Sequence, residues 1–593
     1  MKIKGLLIGM LACTALVGCT NSDEPEVNNG NENQLNGEKA YLAVRLVNAD
    51  GNGSRGTAPT DNAFYFGTAD ENEVATTHFY FFKDGNAYTV DTDNEISKIL
   101  SWNTNGTDTQ GSNNIEKVAE ALIVLEGLKN NTTPTEIVAV LNKPADMSLA
   151  NKSLKELQAV LSTTIYNETD NFIMTNSTYK GTDVDENFAT QITSANFVKD
   201  EPDASLNNTN VVNIYVECLA AKVKVAVDSD VITNTNEISL GQYTIKTGTG
   251  TEETKELKIK ITGWGLNATT KNTYLIKSID ANWAEKFTDF TWNDASNHRS
   301  YWAKSTNYGI AVGANDAANK AVKYPSSFAN AIDASASGSN VVTGNDKTDA
   351  NDATLNYVSW NELKQTIGKS LYCTENTNTA AILAPNYYSA ATQVVVAAQT
   401  TVGTDLVRYN KTLYTADGFM ARVLNELNLD IYKQNATDAT KYEGISAADL
   451  KVKNIYDGKV TVEAANSSTE WYIKSGDNYT KDTKGLLAAR LTALAVEAEY
   501  YKEGMMHYVI PIEHLANGKF AFVNNIPTLN EADYGVVRNH FYNLTINKIE
   551  NLGTSVYDPN EDIIKPTIDN TLYFIGASIN ILSWKIVNQG VNL

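Results

Sequence analysis

Along most of this 593-residue chain, apolar residues fall at every second position in short runs separated by clusters of Asn, Asp, Gly, Ser and Thr. That is strand periodicity. In YLAVRLV, residues Leu42, Val44 and Leu46 share one face. THFYFFKDGNAYTV predicts a hairpin turning at Asp84-Gly85. EIVAVLN (136–142), VVNIYVECLAAKVKVAV (211–227), KELKIKITGW (255–264), KVTVEA (459–464) and HYVIPIEH (507–514) read as further strands. Turn-rich segments between such strands are the pattern of β-sandwiches. Helical spacing appears in three places. Ser153 and Glu156 form a capping box ahead of Leu157, Val160 and Leu161; Ser359 and Glu362 repeat the signature before LKQTIGK; GFMARVLNELNLDIY (418–432) is amphipathic. The expected class is therefore mainly β with a few short helices. A turn-rich stretch near 200–212, DEPDASLNNTN, is where a boundary falls, and 313–356 reads as long surface loops.

The first residues break the pattern. Lys2 and Lys4 precede an apolar run from Leu6 to Val17 that is too short to span a bilayer. It stops at Leu16-Val17-Gly18-Cys19, which has the form of a bacterial lipobox with Cys19 as the lipidated residue. Ordinary signal-peptide cleavage with Cys19 incidental is the alternative. Residues 20–38 are polar and acidic, as in a tether. Within them SDEPE resembles the acidic export signals of Bacteroidales surface lipoproteins, although a solvated linker has the same composition.

Charge and chemistry narrow the field. The formal net charge is −22 and the pI about 4.8, a surface that repels phosphate backbones and anionic headgroups. No nucleic-acid partner is expected, and membrane contact only through the lipid. The five histidines, His78, His298, His507, His514 and His540, include no pair at helical metal spacing, and His507 and His514 sit seven residues apart along one predicted strand, on opposite faces. The glycine cluster from Gly248 lacks the lysine and helix of a phosphate loop and reads as a turn. No nucleophile elbow is present, and paired carboxylates are too common in so acidic a chain to single out an acid and a base. We expect no catalytic residues, no metal, no cofactor and no enzyme. Cys218 and Cys373 are too few for a disulfide framework, and whether they pair is open.

The C-terminal part carries YYKEGMMHYVIPIEH (500–514), YGVVRNHFYNLTINKIENLGTSVYDPNED (534–562) and TLYFIGASINILSWKIVNQGVNL (571–593). These segments resemble the C-terminal domain of the type V fimbrillins of Bacteroidales, subunits of fimbrial shafts. The matching positions are Tyr501, Gly504, Tyr508, Ile512, His514, Gly535, Val537, Arg538, Asn539, Tyr542 and Gly553. HFYFFKDG, EIVAVLN, FIMTNST and VECLAAKVKV follow the family's order in the N-terminal half. By their own chemistry these are fold-making positions: Gly535 suits a turn, Arg538 and Asn539 suit hydrogen bonds to backbone, and Tyr542, Leu544 and Ile546 alternate along a strand. The resemblance implies two transthyretin-like β-sandwich domains. It also implies an outer-membrane lipoprotein precursor whose N-terminal strand is removed by an Arg-specific protease. A C-terminal strand of the next subunit then fills the groove, so the mature form is extracellular, in a polymer of copies of itself with accessory tip and anchor subunits.

On that reading the chain divides into a signal peptide (1–19), a tether with a removable first strand (20–55), an N-terminal sandwich (56–208) and a C-terminal sandwich (209–593) ending in the donor segment 571–593. Only seven arginines occur, and Arg45 and Arg55 lie within eleven residues. DGNGSRG places Arg55 among Gly51, Gly53 and Gly56, an extended and cleavable loop, whereas Arg45 lies inside a strand. Cleavage is expected between Arg55 and Gly56; a chance arginine in a linker is the alternative. The donor anchors are expected to be Ile579, Ile581, Leu582, Trp584 and Ile586, although the same segment also suits a last core strand of its own domain. A tip or anchor subunit, and a surface glycan-binding lipoprotein with exposed aromatics, are the competing readings.

Overall fold

The computed structural model describes residues 39–49, 68–89, 95–98, 115–128, 132–180, 186–199, 210–279, 303–308, 355–377, 391–514, 521–528, 534–563 and 585–592, less a few short breaks within those spans. For 95–98, 115–120, 521–528 and 585–592 the description is of backbone alone.

The first sheet is built from β1 (Lys39–Ala49), β2 (Thr77–Lys83), β3 (Ile115–Glu126), β4 (Glu136–Leu141), β5 (Met174–Asn176), β6 (Phe197–Val198) and β7 (Val212–Cys218). β1 is paired along both of its edges. β3 runs antiparallel to it over its whole length; on the other side β6 meets Tyr41 and Leu42, and β7 runs parallel from Val44 to Asn48. The sheet continues from β7 through β5 and β4 to β2. The expected hairpin follows β2: Asp84 and Gly85 both take positive φ, at 52° and 74°, as a two-residue type I′ turn demands, and Phe82 pairs with Ala87. Leu42, Val44, Leu46, Phe79, Phe81 and Val138 join one core.

The run 211–227 is not one strand. β7 ends at Cys218, Leu219 intervenes, and β8 (Ala220–Val227) belongs to a different sheet. The division proposed at 208/209 concerns folding units; sheet membership changes at Leu219. β9 (Ile238–Lys246) and β10 (Glu252–Asn267) form a hairpin over the Gly248 turn, with β11 (Ser370–Thr374) and β12 (Gln393–Thr400) following. Next come β13 (Leu406–Tyr409) and β14 (Thr412–Thr415), then β15 (Ile431–Gln434), β16 (Tyr442–Gly444), β17 (Leu450–Tyr456) and β18 (Lys459–Ala464). The last group is β19 (Trp471–Ser475), β20 (Asn478–Lys481), β21 (Ala498–Tyr501), β22 (Met505–Pro511), β23 (His540–Lys548) and β24 (Lys585–Asn592). A four-stranded sheet, β11–β8–β23–β24, faces a larger one ordered β17–β18–β21–β13–β14–β9–β10–β12–β22. Val223 and Val225 of β8 and Tyr542, Leu544 and Ile546 of β23 share a core with Leu257, Ile259, Val394, Val396 and Ile510 of the facing sheet. That is sheet-on-sheet packing, and the protein is mainly β.

The described residues include three short α-helices. α1 (Leu154–Gln158) carries the expected capping box, Ser153 N and Oγ each donating to the Glu156 carboxylate at 2.8 Å. The second box forms too, but encloses only the 3₁₀ turn Trp360–Glu362 and not a helix through LKQTIGK. Tertiary contact overrides the local signal: Leu363 leaves helical geometry and its carbonyl lies against Gly263, where a Cβ would stand 2.1 Å away. α2 (Ala416–Glu426) starts earlier and stops sooner than 418–432, because Thr415 is the N-cap and Ile431 already belongs to β15. α3 (Leu486–Leu494) was not expected. Its signals are Leu487, Leu491 and Leu494 at helical spacing and Asp482, whose carboxylate accepts the Leu486 and Leu487 N–H groups. Both helices cover β13, β18 and β21 over a third core.

Candidate functional site

β1 is a strand held in a slot. Ala40, Leu42, Ala43, Val44 and Leu46 are buried, and strands pair with it on both edges, so extracting it strips two ladders at once. Arg45 sits within this ladder, opposite Asn213 and Glu120, and is half-buried. A protease needs an extended, unpaired segment, which the middle of β1 does not offer. Arg55, Gly56 and Cys19 lie outside the described residues.

At the other end of the chain, β24 runs parallel to β23, from His540 opposite Lys585 to Ile546 opposite Val591. Among the described residues no further strand pairs with β24, which therefore ends the four-stranded sheet. Of the expected anchors only Ile586 is described, by backbone: it stands opposite Phe541. Ile579, Ile581, Leu582 and Trp584 lie outside the described residues.

Between the two strands lies a joint built from the sequence block Val-Val-Arg-Asn-His. Asn539, at φ 58°, accepts the Cys218 N–H at 3.2 Å through its side chain and donates its own N–H to the Ala220 carbonyl at 2.7 Å. It thus clamps the crossover at Leu219 on both sides. Arg538 is fully buried. Its guanidinium donates to the carbonyls of Tyr274 (2.7 Å) and Leu275 (3.2 Å) and to Thr273 Oγ1 (3.1 Å), and its Nε lies 3.4 Å from Glu375. The Leu275 carbonyl also accepts from Thr175 of β5, so one carbonyl receives donors from both sheet systems. Lys277 and Glu217 form a second buried pair at 3.0 Å, and Lys222 and Glu71 a third at 2.5 Å. Burial pushes the Glu71 carboxyl up, but hydrogen bonds from Lys222 and Tyr372, the Lys222 charge and the Thr68 N–H outweigh it and hold it below the ordinary range.

Other matched positions are also fold-making. The Tyr542 hydroxyl accepts the Val537 N–H and bonds His514 Nδ1, each at 2.8 Å; burial pushes its pKa well above 10. Gly504 has φ +77°, and a Cβ there would lie 2.0 Å from Thr400 Oγ1. A Cβ on Gly553 would lie 2.6 Å from the His507 carbonyl. Tyr501 and Tyr508 donate to the carbonyls of Gly553 (3.2 Å) and Asn551 (2.8 Å).

The structure brings together two histidines that sequence spacing kept apart. His514 and His540 have ring centroids 5.1 Å apart, both buried, because the strand carrying His507 ends at Pro511 and the chain turns toward β23. Among the described residues no three His, Cys, Asp or Glu side chains group as a metal site. Cys218 and Cys373 are free thiols in different cores, and burial pushes both up to about 12. No described helix is long and apolar enough to cross a membrane.

Fold and joint define a β-sheet protein of paired sheet systems locked through a buried Arg-Asn block. Residues 499–590 match the family profile described as major fimbrial subunit protein type IV, fimbrillin, C-terminal, and that C-terminal region is what the chain shares with the family. The type V designation is not part of that match. The chain is also similar to a fimbrilin of Porphyromonas gingivalis W83 (11% identity, 93% of this chain and 96% of that one, TM-score 0.32). A candidate cell adhesion protein of Bacteroides eggerthii DSM 20697 has 16% identity over 63% of this chain and 78% of that one, with TM-score 0.26. At TM-scores this low the two structures carry no argument, and the family match is confined to 499–590. No curated protein sequence matches the chain.

Proposed function

We propose that the protein is a structural subunit of a cell-surface fimbria. On this reading it is exported as a lipoprotein acylated at Cys19, cut between Arg55 and Gly56, and polymerised when a C-terminal strand of the next copy enters the slot vacated by β1. The observation that carries the proposal is β1 itself: a buried strand paired on both edges and followed directly by DGNGSRG. Losing residues 39–49 would unpair β3 on one side and β6 and β7 on the other, a drive for strand addition. An extended segment of similar length from 571–593 has the apolar character to replace it. The two transthyretin-like sandwich domains divided at 208/209 belong to the same proposal. The fimbrillin match over 499–590 supports it, and a fimbrial subunit needs no catalytic chemistry. Removal of residues 1–55 takes away five basic and six acidic side chains, so the mature net charge is −21 and shafts repel one another.

The test is the N-terminal sequence and intact mass of the protein from native surface material. A start at Gly56 without lipid supports the proposal; an acylated Cys19 start overturns it in favour of an anchor or another surface lipoprotein.

A further inference from the structure

The segment between α2 and β21 carries a small sheet of its own, ordered β16–β15–β19–β20. Its register assigns every side chain to one of two faces. Ile431, Trp471 and Ile473 point to the third core and pack on it. The opposite face carries Tyr432, paired with Tyr472, then Tyr442 opposite Gln434 and Tyr479 opposite Lys474. All four tyrosines are half-buried, so each keeps part of its ring in water. The inner face alone supplies the core contact, and an outer face that met only water would be expected to carry small polar side chains.

These rings hold one another in place. Tyr442 and Tyr479 stack at 4.1 Å and 7°, while Tyr432–Tyr479 and Tyr442–Tyr472 meet edge to face at 5.0 Å. The β15–β16 turn is fixed too: Asn435 Oδ1 accepts from Thr437 N, Thr437 Oγ1 and Asp438 N, and Asp438 accepts from Thr440. Over this platform stands Lys474, its Nζ 5.8 Å from the ring centres of both Tyr432 and Tyr479. Its neighbour Lys481 is paired with Glu470 at 2.5 Å, but Lys474 has no ion-pair partner among the described residues. In a chain of net charge −22, that is a cation left available on an aromatic surface.

We propose that this face binds an anionic glycan, a carbohydrate bearing carboxylates. Tyrosine rings take the C–H faces of sugar rings, the hydroxyls of Tyr432, Tyr442 and Tyr479 and the Gln434 amide bond sugar hydroxyls, and Lys474 meets the carboxylate. The Tyr472 hydroxyl is donated to Glu470 at 3.0 Å. No large aliphatic side chain of this sheet is exposed, which disfavours an apolar protein partner. The proposal does not rest on the assembly mechanism, since among the described residues no strand of this sheet pairs with β1 or β24.

Calorimetric titration of the full chain with hexagalacturonate, maltohexaose and hexaglutamate tests it. Hexagalacturonate is expected to bind at least tenfold more tightly than either control. Lys474→Gln should bring it to the level of maltohexaose with the melting temperature unchanged, and Tyr479→Ala should abolish both sugars. Should Tyr479→Ala melt early, Tyr479→Phe, which keeps the ring, should retain at least half the wild-type affinity. The proposal fails if hexagalacturonate does not bind the wild type, or if Lys474→Gln leaves its affinity unchanged. Equal affinity for hexaglutamate overturns it in favour of an acidic peptide.

Discussion

Arg538 shows how much one side chain does here. It has no exposure, it meets the carbonyls at 274 and 275, and its charge faces Glu375. Arg538→Met leaves Glu375 as an uncompensated buried charge, which costs about 3–5 kcal/mol. Denaturant titration of the full chain should show that loss, and adding Glu375→Met should recover part of it, because two apolar groups no longer bury a charge. Gly504 makes a different demand. Gly504→Ala combines a positive φ with a Cβ 2.0 Å from Thr400 Oγ1, whereas Gly85→Ala has a similar φ and nothing within 4 Å. The first is expected to cost more than the second, which should lose only the left-handed penalty of about 1–2 kcal/mol. Equal losses in thermal melts would mean that Thr400 gives way freely.

At the scale of elements, strand content was legible because alternation survives wherever one face is buried. Leu42, Val44 and Leu46 announced β1, and Asp84-Gly85 announced the turn after β2, since few residues other than glycine and Asp or Asn take positive φ there. Helix limits were less legible. Ser359 and Glu362 make the same box as Ser153 and Glu156, yet only the second pair caps an α-helix; Gly263 lets the backbone of Leu363 approach, and that contact lies a hundred residues away in sequence. If β1 is removed during assembly, its core residues matter only before that step. Leu42→Ala should lower the stability of the uncleaved chain by about 2–5 kcal/mol, read from denaturant melts against the wild-type uncleaved chain.

At the scale of the whole molecule, carboxylates held by basic partners, Glu71 against Lys222 in the interior and Glu499 between Arg408 and Lys459 within one sheet, set the response to acid. Glu71 is pushed up by burial and drawn further down by Lys222, Tyr372 and Thr68; Glu499 is likewise raised by burial and lowered more by Arg408 and Lys459. Both end below the ordinary glutamate value of 4.5. Their contribution is therefore complete above about pH 4.5 and is lost as pH falls through the lower folded values. Stability should be flat for these groups from pH 7 to 5 and fall below that. The Glu71→Gln variant should show a shallower acid slope in denaturant titrations at pH 3–6.

The sequence by itself determined the strand class and the fold-making character of 535–542, because each depends on local periodicity, backbone freedom or side-chain chemistry. It did not reveal that the strand run at 211–227 breaks between two sheets, that Asn539 clamps that break, or that His514 meets His540. Nor did it reveal that four tyrosines between positions 432 and 479 share one face. Those are long-range pairings, decided by which sheet edge each strand joins, and register between distant strands leaves no mark on the spacing of neighbouring residues.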